Sequence, residues 1–394
     1  MQTLTEWRKS DPIRLTRTQR EGLEKHFAAS IETGPTDDTF RVTPGNVVGS
    51  VTIGGETFVV SPKIPIDRVL FMVAYAADPF AWEDGWASLS GTRDLVEGMA
   101  AMFVRTCDRV LARGLYRSYH RVEDAGRTIR GRVVMQRWAR RPAPLPIDVR
   151  YQVHDDDVLE NQLVRAALDA LRTTRIRSRE VAAGVARHWR AFRDLGRLPD
   201  PLHAARGLSW NRQNLHYVPL VRLAQVIIGG RMAELERGVV QVPGFTLNMP
   251  EVFERFVRTA LRERSGLSTR AFPDDTSGFG LTLDAAGRVR LVPDLGVRNE
   301  DGWQFVGDVK YKSDDGPGKH PDLYQLFAYA TATRLDEATL IYADGPFDAP
   351  SHEVRYAGVT LRLVHLDLAR PPAEILEQLS RVQVERPSAG QAAG

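Results

Sequence analysis

The sequence contains a single cysteine, Cys107, among its 394 residues. One thiol can form neither an internal disulfide framework nor a zinc site built from cysteines, and a chain without disulfides fits the reducing cytoplasm. No run of about 18 apolar residues is present, so a membrane-spanning helix is not expected. The first residues carry no apolar core of the signal-peptide kind. We therefore expect a cytoplasmic protein with no membrane partner.

Lysine is also scarce. Of 53 basic residues only six are lysines, and half of these lie close together at positions 310, 312 and 319. Lysine differs from arginine in being a compact point charge whose pKa can shift, and catalysis can use both properties. Half of the few lysines thus lie near residue 310 in a chain whose other basic residues are mostly arginine, and this makes the region a candidate site.

Several motifs of nucleotide and metal chemistry are missing. The stretch Gly316–His320 has neither the spacing nor the hydroxyl residue of a phosphate-binding Gly-x-x-x-x-Gly-Lys-Ser/Thr loop. A His-Glu-x-x-His zinc motif and a nucleophile elbow are absent as well. The chain alone is therefore not expected to hydrolyse nucleotides.

The composition is that of a soluble globular protein, with 43% hydrophobic and 26% charged residues. A length of 394 residues exceeds one ordinary core, so two or three domains are expected. The net charge of +3 is compatible with DNA binding, although no Lys/Arg run forms a basic tail.

Hydrophobic periodicity gives a coarse map of the chain. Thr16 and Gln19 form the start of a capping box, and residues 46–66 alternate like a β-hairpin that turns at Gly54-Gly55. Helices are predicted over Val69–Ala76 and Leu95–Leu115, strands between residues 116 and 153, and mostly helix from Asp155 to Ile228. Arginines alternate with tyrosines in the strand region, where they could contact a partner or simply face solvent.

This map predicts an α/β (α+β) protein of several parts. Residues 1–153 form a mixed β/α region, residues 154–235 a helical connector, residues 240–370 a further domain, and residues 371–394 a short helix with a tail expected to be disordered.

The stretch Val292–Lys312 reads as two strands joined by the turn Asn299-Glu-Asp-Gly302. Residues i and i+2 share a face of a strand, so Asp308 and Lys310 point the same way. If the two strands pair, Asp294 lies beside them. Two carboxylates beside an ammonium make a hard-oxygen site for Mg²⁺. The competing interpretation is an ordinary charged strand end in solvent.

Two predicted helices flank this hairpin. The first, with Pro250 in its first turn, repeats apolar residues at helical spacing and carries Glu254, which could supply a third carboxylate to a metal. The second follows the hairpin and places Gln325 and Tyr329 at i, i+4 on one face. Ordinary helix packing is the alternative role for Tyr329.

The order helix with Glu, then Pro-Asp, then Asp-x-Lys, then Gln-x-x-x-Tyr resembles the core of PD-(D/E)xK nucleases. More closely, the chain resembles the McrC family, the nuclease subunits of McrBC-type modification-dependent restriction systems. Outside the nuclease region the likeness rests on three segments: Gly49–Ile64 with its Pro62-Lys63, Asp155–Leu168, and Asn211–Ile228.

The resemblance implies a C-terminal restriction-endonuclease-like domain that cleaves DNA with Mg²⁺. Metal ligation would fall to Asp294, Asp308 and Glu254, catalysis also to Lys310, and DNA orientation or accessory roles to Gln325, Tyr329 and Lys312. It further implies a McrB-like AAA+ GTPase partner that recognises modified cytosine, with the N-terminal half docking on it and stimulating it. The alternatives are a non-catalytic adaptor and a RecB-like exonuclease that acts at DNA ends.

Overall fold

The structure is a computed structural model that describes residues 1–36, 38–83, 94–140, 145–235, 244–314, 317–345 and 351–384. Its backbone forms two compact units, one made of Met1–Gly98 with Ala233–Gly394 and the other of Met99–Met232. Helices and strands alternate in both, which confirms the predicted α/β class. Within the described residues, every helix is too short or too polar to cross a bilayer.

The N-terminal part of the first unit is rich in short strands. Its elements are β1 (Gln2–Thr5), β2 (Ile13–Arg14), α1 (Arg17–Phe27), β3 (Ser30–Thr33), β4 (Thr39–Thr43), β5 (Val47–Ile53), β6 (Glu56–Ser61) and α2 (Ile66–Ala77). The predicted hairpin is confirmed, because β5 pairs antiparallel with β6. Gly54 and Gly55 both take positive φ in its turn, as such tight hairpins require. The capping box of Thr16 and Gln19 at α1 is confirmed too.

The C-terminal part of the first unit contains the predicted nuclease region. Its elements are β10 (Gly244–Asn248), α9 (Met249–Ser265), a 3-10 turn (Thr276–Phe279), β11 (Leu295–Asn299), β12 (Gly302–Ser313), α10 (His320–Thr333), β13 (Glu337–Asp344), β14 (His352–Val354), β15 (Val359–His365) and α11 (Pro372–Leu379). The helices predicted around Pro250 and around Gln325 are confirmed as α9 and α10.

The described part of this unit contains a small sheet of order β2-β4-β3 and two larger sheets. The first of the larger sheets has the order β1-β6-β5-β10, so the strand that leads into α9 is hydrogen-bonded to the N-terminal hairpin. The second has the order β11-β12-β13-β15-β14. Here β11 and β12 form the predicted antiparallel hairpin, whereas β12, β13 and β15 run parallel. Parallel neighbours need a crossover, and α10 supplies it between β12 and β13.

Aromatic packing fixes α9 on the sheets. The ring of Phe256 lies 5.3 Å from Phe71 and 5.6 Å from Tyr75 of α2, and Phe253 lies 5.9 Å from Tyr311 of β12. Phe253 and Phe256 are fully buried, and burying one such side chain stabilises a fold by about 2–3 kcal/mol. The buried face of α9 therefore sets the position of the polar residues beside it on the same helix.

The second unit combines a small sheet with helices. Its elements are α3 (Leu95–Leu111), whose first turn belongs to the first unit, β7 (Ser118–Gly126), β8 (Arg132–Val133), α4 (Met135–Trp138), β9 (Ile147–Asp155), α5 (Leu159–Arg172), α6 (Arg179–Phe192), α7 (Pro201–Ala205) and α8 (Val218–Leu235). The sheet has the order β7-β9-β8.

The four regions predicted from the sequence stay a prediction, and their borders do not coincide with those of the compact units. Residue 153 lies inside β9, and Gly229-Gly230 lies inside α8. Most of the predicted border at 235–240, and the tail after residue 384, lie outside the described residues.

A buried histidine makes the stability of the second unit depend on pH. The Nε2 atom of His188 on α6 lies 2.8 Å from Asp108 Oδ1 of α3, and its side chain is 8% exposed. Burial lowers the pKa of His188 and outweighs the opposing effect of Asp108. The neutral imidazole is thus favoured in the folded state, so its contribution to stability is lost as the pH falls through the ordinary histidine range. We expect the stability lost in His188→Gln to shrink between pH 7.5 and pH 5.5 in thermal unfolding.

The exposed His203 on α7 provides the control. Because its side chain is exposed, His203→Gln should change thermal stability much less than His188→Gln does at pH 7.5. A deficit of His188→Gln that grows on acidification would contradict the expectation.

Candidate active site

The hairpin of β11 and β12 brings three of the predicted residues together. Asp294 directly precedes β11, whose Leu295 pairs with Gly307, so Asp294 reaches the Asp308 position of β12. Its Oδ2 accepts a hydrogen bond of 2.9 Å from the backbone N–H of Val309. On the same face of β12, Lys310 Nζ lies 2.5 Å from Asp308 Oδ2.

Asp308 occupies an unfavourable position for a lone carboxylate. It is 1% exposed, and neither of its oxygens accepts a hydrogen bond of good geometry from a described donor. Burial raises the pKa of Asp308 to about 7, the negative charge of Asp294 acts in the same direction, and the Lys310 ammonium opposes both. The buried carboxylate of Asp308 and the half-buried one of Asp294, side by side with one ammonium, leave negative charge that a cation could neutralise.

Asp294 and Asp308 fit a magnesium ion. Mg²⁺ prefers hard oxygen ligands and is commonly held by only one or two carboxylates, with waters and substrate phosphates completing its shell. The carboxylate oxygens of Asp308, of which Oδ2 also contacts Lys310 Nζ, are ligands of this kind. Larger clusters with metal-binding geometry, of three or more His, Cys, Asp or Glu side chains, do not occur in the described part of the chain. The donor set is therefore suited to Mg²⁺ rather than to an all-protein cage.

Lys310 stays charged in this arrangement. Burial, the largest single influence, lowers the pKa of Lys310, but the neighbouring carboxylates of Asp308, Asp294 and Asp322 together outweigh it, and the pKa is raised. Its side chain is 23% exposed, so the ammonium can still reach a substrate. Lys310 thus places a positive charge beside the carboxylate of Asp308.

Glu254 lies close to the carboxylate pair, but its side chain is paired with an arginine of the same helix. Its Oε1 forms an ion pair with Arg258, one helical turn along α9. Burial raises the pKa of Glu254, the charge of Arg258 opposes this, and the charge of Asp294 adds to it. Glu254 is therefore within electrostatic reach of Asp294, and its role as a third metal ligand stays a prediction.

Gln325 and Tyr329 act as a pair, as their i, i+4 spacing on α10 predicted. The Tyr329 hydroxyl accepts a hydrogen bond of 2.8 Å from Gln325 Nε2 and donates one of 3.2 Å to the backbone oxygen of Val292. Burial raises the pKa of Tyr329 to about 12, so the phenol remains a donor. Tyr329 is buried whereas Gln325 is exposed, which leaves the amide accessible to a ligand.

Lys312 belongs to a neighbouring pair and not to the carboxylate centre. Its Nζ lies 2.7 Å from Asp322 Oδ2 at the start of α10. The hydroxyl of Tyr342 donates to the same oxygen at 2.7 Å. Lys312 thus ties β12 to α10, while its accessory role toward DNA stays a prediction.

Two residues near the site were not predicted from the sequence. Arg258 donates from Nε and Nη2 to the backbone oxygen of Asp294, at 3.2 and 2.8 Å. Thr276 donates from Oγ1 to the backbone oxygen of Pro293 at 2.5 Å. The i, i+4 spacing of Glu254 and Arg258 could have pointed to the first, because such pairs share a helix face. Thr276 lies in an irregular segment and gave no periodic signal.

Comparisons with known proteins place the chain in a family. No curated protein matches it significantly. Two solved chains from Thermococcus gammatolerans are weakly similar. One, from a structure described as a refined half-complex from a tetradecameric assembly of McrB AAA+ hexamers with bound McrC, has 15% identity over 96% of this chain and 98% of that chain, with a TM-score of 0.49. The other, from a cryo-EM structure of the McrBC complex, has 17% identity over 68% and 88%, with a TM-score of 0.41.

The family comparison is independent of these structures. Residues 42–343 match the family described as McrBC 5-methylcytosine restriction system component. The match covers the N-terminal hairpin, the second unit and the candidate active site up to β13. The resemblance seen in the motifs is thereby confirmed, and the chain belongs to the family of McrBC 5-methylcytosine restriction system components.

Proposed function

We propose that this chain is the Mg²⁺-dependent DNA endonuclease subunit of a modification-dependent restriction complex. The observation that carries the proposal is the convergence of the Asp294 and Asp308 carboxylates with the Lys310 ammonium on one buried hairpin. Family membership supplies the setting, a restriction system directed at 5-methylcytosine. The substrate would be a DNA phosphodiester, since the site combines a place for a hard cation with the positive charge of Lys310.

Each residue of the site would have a separate role in hydrolysis. Asp294 and Asp308 would hold Mg²⁺, which when bound supplies charge neutralisation at the scissile phosphate and a more acidic water. Lys310 would orient that water or stabilise the charge that develops on the phosphate oxygens. Gln325 would contact the DNA backbone from its exposed position, while Tyr329 is hydrogen-bonded to Gln325 and to the segment Val292–Asp294 that precedes β11.

We propose further that cleavage depends on a McrB-like AAA+ GTPase. The chain lacks a nucleotide-binding loop of its own, and the Thermococcus structures are described as McrB AAA+ hexamers with bound McrC. The N-terminal half would dock on this partner and stimulate it in the cytoplasm. The partner would then bring DNA with modified cytosine to the nuclease.

The test is cleavage of modified and unmodified circular DNA with Mg²⁺, with and without the AAA+ partner and GTP. Lys310→Ala removes the charge at the site, and Arg288→Ala, which removes an exposed cation paired with Asp284 outside the site, is the control. We expect cleavage of modified circles only with partner and GTP, lost in Lys310→Ala and kept in Arg288→Ala.

Other outcomes identify the alternatives. Degradation of linear ends without any partner would identify an exonuclease. An absence of cleavage in every combination, together with stimulation of the GTPase, would identify a non-catalytic adaptor. Either result would overturn the proposal.

A further inference from the structure

Three side chains hold the backbone that carries the first metal-binding carboxylate. The carbonyl oxygens of the segment Val292–Asp294 each accept a hydrogen bond from a different element: Tyr329 from α10, Thr276 from the 3-10 turn, and Arg258 from α9. Irregular backbone next to a strand normally finds its partners in water or in other backbone groups. Here successive carbonyls are satisfied by side chains, so the path of the segment is set from three directions.

Arg258 makes the strongest of these contacts. It is 7% exposed, and two of its nitrogens donate to the same Asp294 oxygen. A buried guanidinium is costly unless an opposite charge lies beside it. Glu254 supplies that charge through the ion pair one turn earlier on α9. The contacts form a chain from Glu254 to Arg258 and on to the backbone of Asp294.

Asp294 is anchored at both ends by this arrangement. Arg258 holds its carbonyl oxygen, and the backbone N–H of Val309 holds its carboxylate oxygen Oδ2 at 2.9 Å, next to Asp308. The orientation of the carboxylate therefore depends on a group that cannot itself bind a cation. Groups that orient ligands in this way commonly change metal affinity or activity by about 10- to 100-fold when they are removed.

We propose that Glu254 is a positioning residue that acts through Arg258 on the Val292–Asp294 segment, rather than a ligand of the metal. The inference rests on the proposed function, since it assigns a role within the same site. It gives this acidic residue a task that the pattern of carboxylates in the sequence does not suggest. The side-chain oxygen Oε1 of Glu254 contacts Arg258, and Arg258 donates to the backbone oxygen of Asp294.

The two roles of Glu254 predict opposite results for Arg258→Met. If Glu254 binds the metal, removing the neighbouring positive charge should leave Mg²⁺ affinity unchanged or tighten it. If Glu254 acts through Arg258, the same change should weaken Mg²⁺ binding by about tenfold, as should Glu254→Ala. The double variant should then be no weaker than either single variant, because both remove the same chain of contacts.

Glu254→Gln separates the roles a second time. The amide oxygen can still accept the hydrogen bond of Arg258 although it no longer offsets the charge, so positioning predicts a loss of Mg²⁺ affinity well below that of Glu254→Ala, even if thermal stability falls. A ligand role predicts that Gln is as harmful as Ala, because a neutral amide is a poor substitute for a metal-binding carboxylate.

The measurement is Mg²⁺ binding to the full-length protein by titration calorimetry, followed by DNA cleavage with the AAA+ partner and GTP. Arg262→Met is the matched control, because Arg262 lies one turn further along α9, is equally buried, and donates to the backbone oxygen of Phe272 and to Asp274. Positioning predicts that Arg262→Met keeps Mg²⁺ affinity even if its thermal stability falls as far as that of Arg258→Met.

The outcomes separate the inference from the proposed function. Mg²⁺ binding and cleavage by the wild type, with Gln as harmful as Ala and no loss of affinity in Arg258→Met, would overturn the positioning role alone. Failure of the wild type both to bind Mg²⁺ and to cleave DNA with its partner would overturn the proposed function. Weakened binding in Arg258→Met and Glu254→Ala, rescued in Glu254→Gln, is the expected result.

Discussion

Asp308→Ala is expected to lower DNA cleavage by at least about 1,000-fold while the protein stays folded. The substitution removes one of two carboxylates from the proposed metal site, and the loss of several kcal/mol of transition-state stabilisation corresponds to about this factor. Folding should survive because the contact that the fold would lose is the ion pair with Lys310, whose side chain is 23% exposed and can be solvated. Burial also raises the pKa of Asp308 to about 7, so its charge is disfavoured in the folded state.

The measurement combines cleavage by the complex with calorimetric Mg²⁺ titration and thermal unfolding. Asp301→Ala is the control, since Asp301 is an exposed acid in the turn of the same hairpin. It should cleave and bind Mg²⁺ like the wild type. Two results would count against the assignment of Asp308: cleavage that persists in the Ala variant, or a variant that no longer folds, which would mean that the carboxylate is needed for structure.

The centre of the candidate site could be predicted from the sequence because its geometry is local. The alternation of a strand places Asp308 and Lys310 on one face, and a short turn forces β11 back along β12. These two rules bring Asp294 to the Asp308 side without knowledge of any distant contact. The same holds for Gln325 and Tyr329, whose helical spacing implies a shared face.

The surroundings of the site depend on contacts between distant parts of the chain. Thr276 reaches Pro293 from an irregular segment, and Arg258 reaches Asp294 across 36 positions of sequence. Neither separation follows from the period of a helix or strand. The short strand β14 was likewise not predicted, because three residues are too few to establish an alternating pattern.

The compact units divide the chain at other positions than the regions predicted from the sequence. Strand β10 lies after the second unit in the sequence, yet it pairs with β5 near the N-terminus. A border drawn from composition cannot detect such a pairing. The predicted nuclease region and the N-terminal hairpins belong to one compact unit, and the second unit lies between them in the sequence.

Gly49→Ala is expected to destabilise the first unit by about 4 kcal/mol or more, which is among the larger effects of single substitutions. Gly49 lies on β5 where it pairs with Thr246 of β10, and its φ of +131° belongs to a region that favours glycine. A Cβ atom there would lie 2.1 Å from the backbone oxygen of Phe245, far inside contact distance. The two strands would have to separate, which thermal unfolding should register as a fall in Tm of roughly 10 °C.

Gly55→Ala isolates the contribution of close packing. Gly55 also has positive φ, +80°, but a Cβ added there would meet nothing within 4 Å. Gly55→Ala should lower the free energy of unfolding only by the strain of a left-handed backbone conformation, about 1–2 kcal/mol. Equal losses in the two variants would contradict the close pairing of β5 with β10. Because β10 runs directly into α9, strand separation should also displace the helix that carries Arg258. Gly49→Ala should then weaken Mg²⁺ binding below its Tm, whereas Gly55→Ala should not.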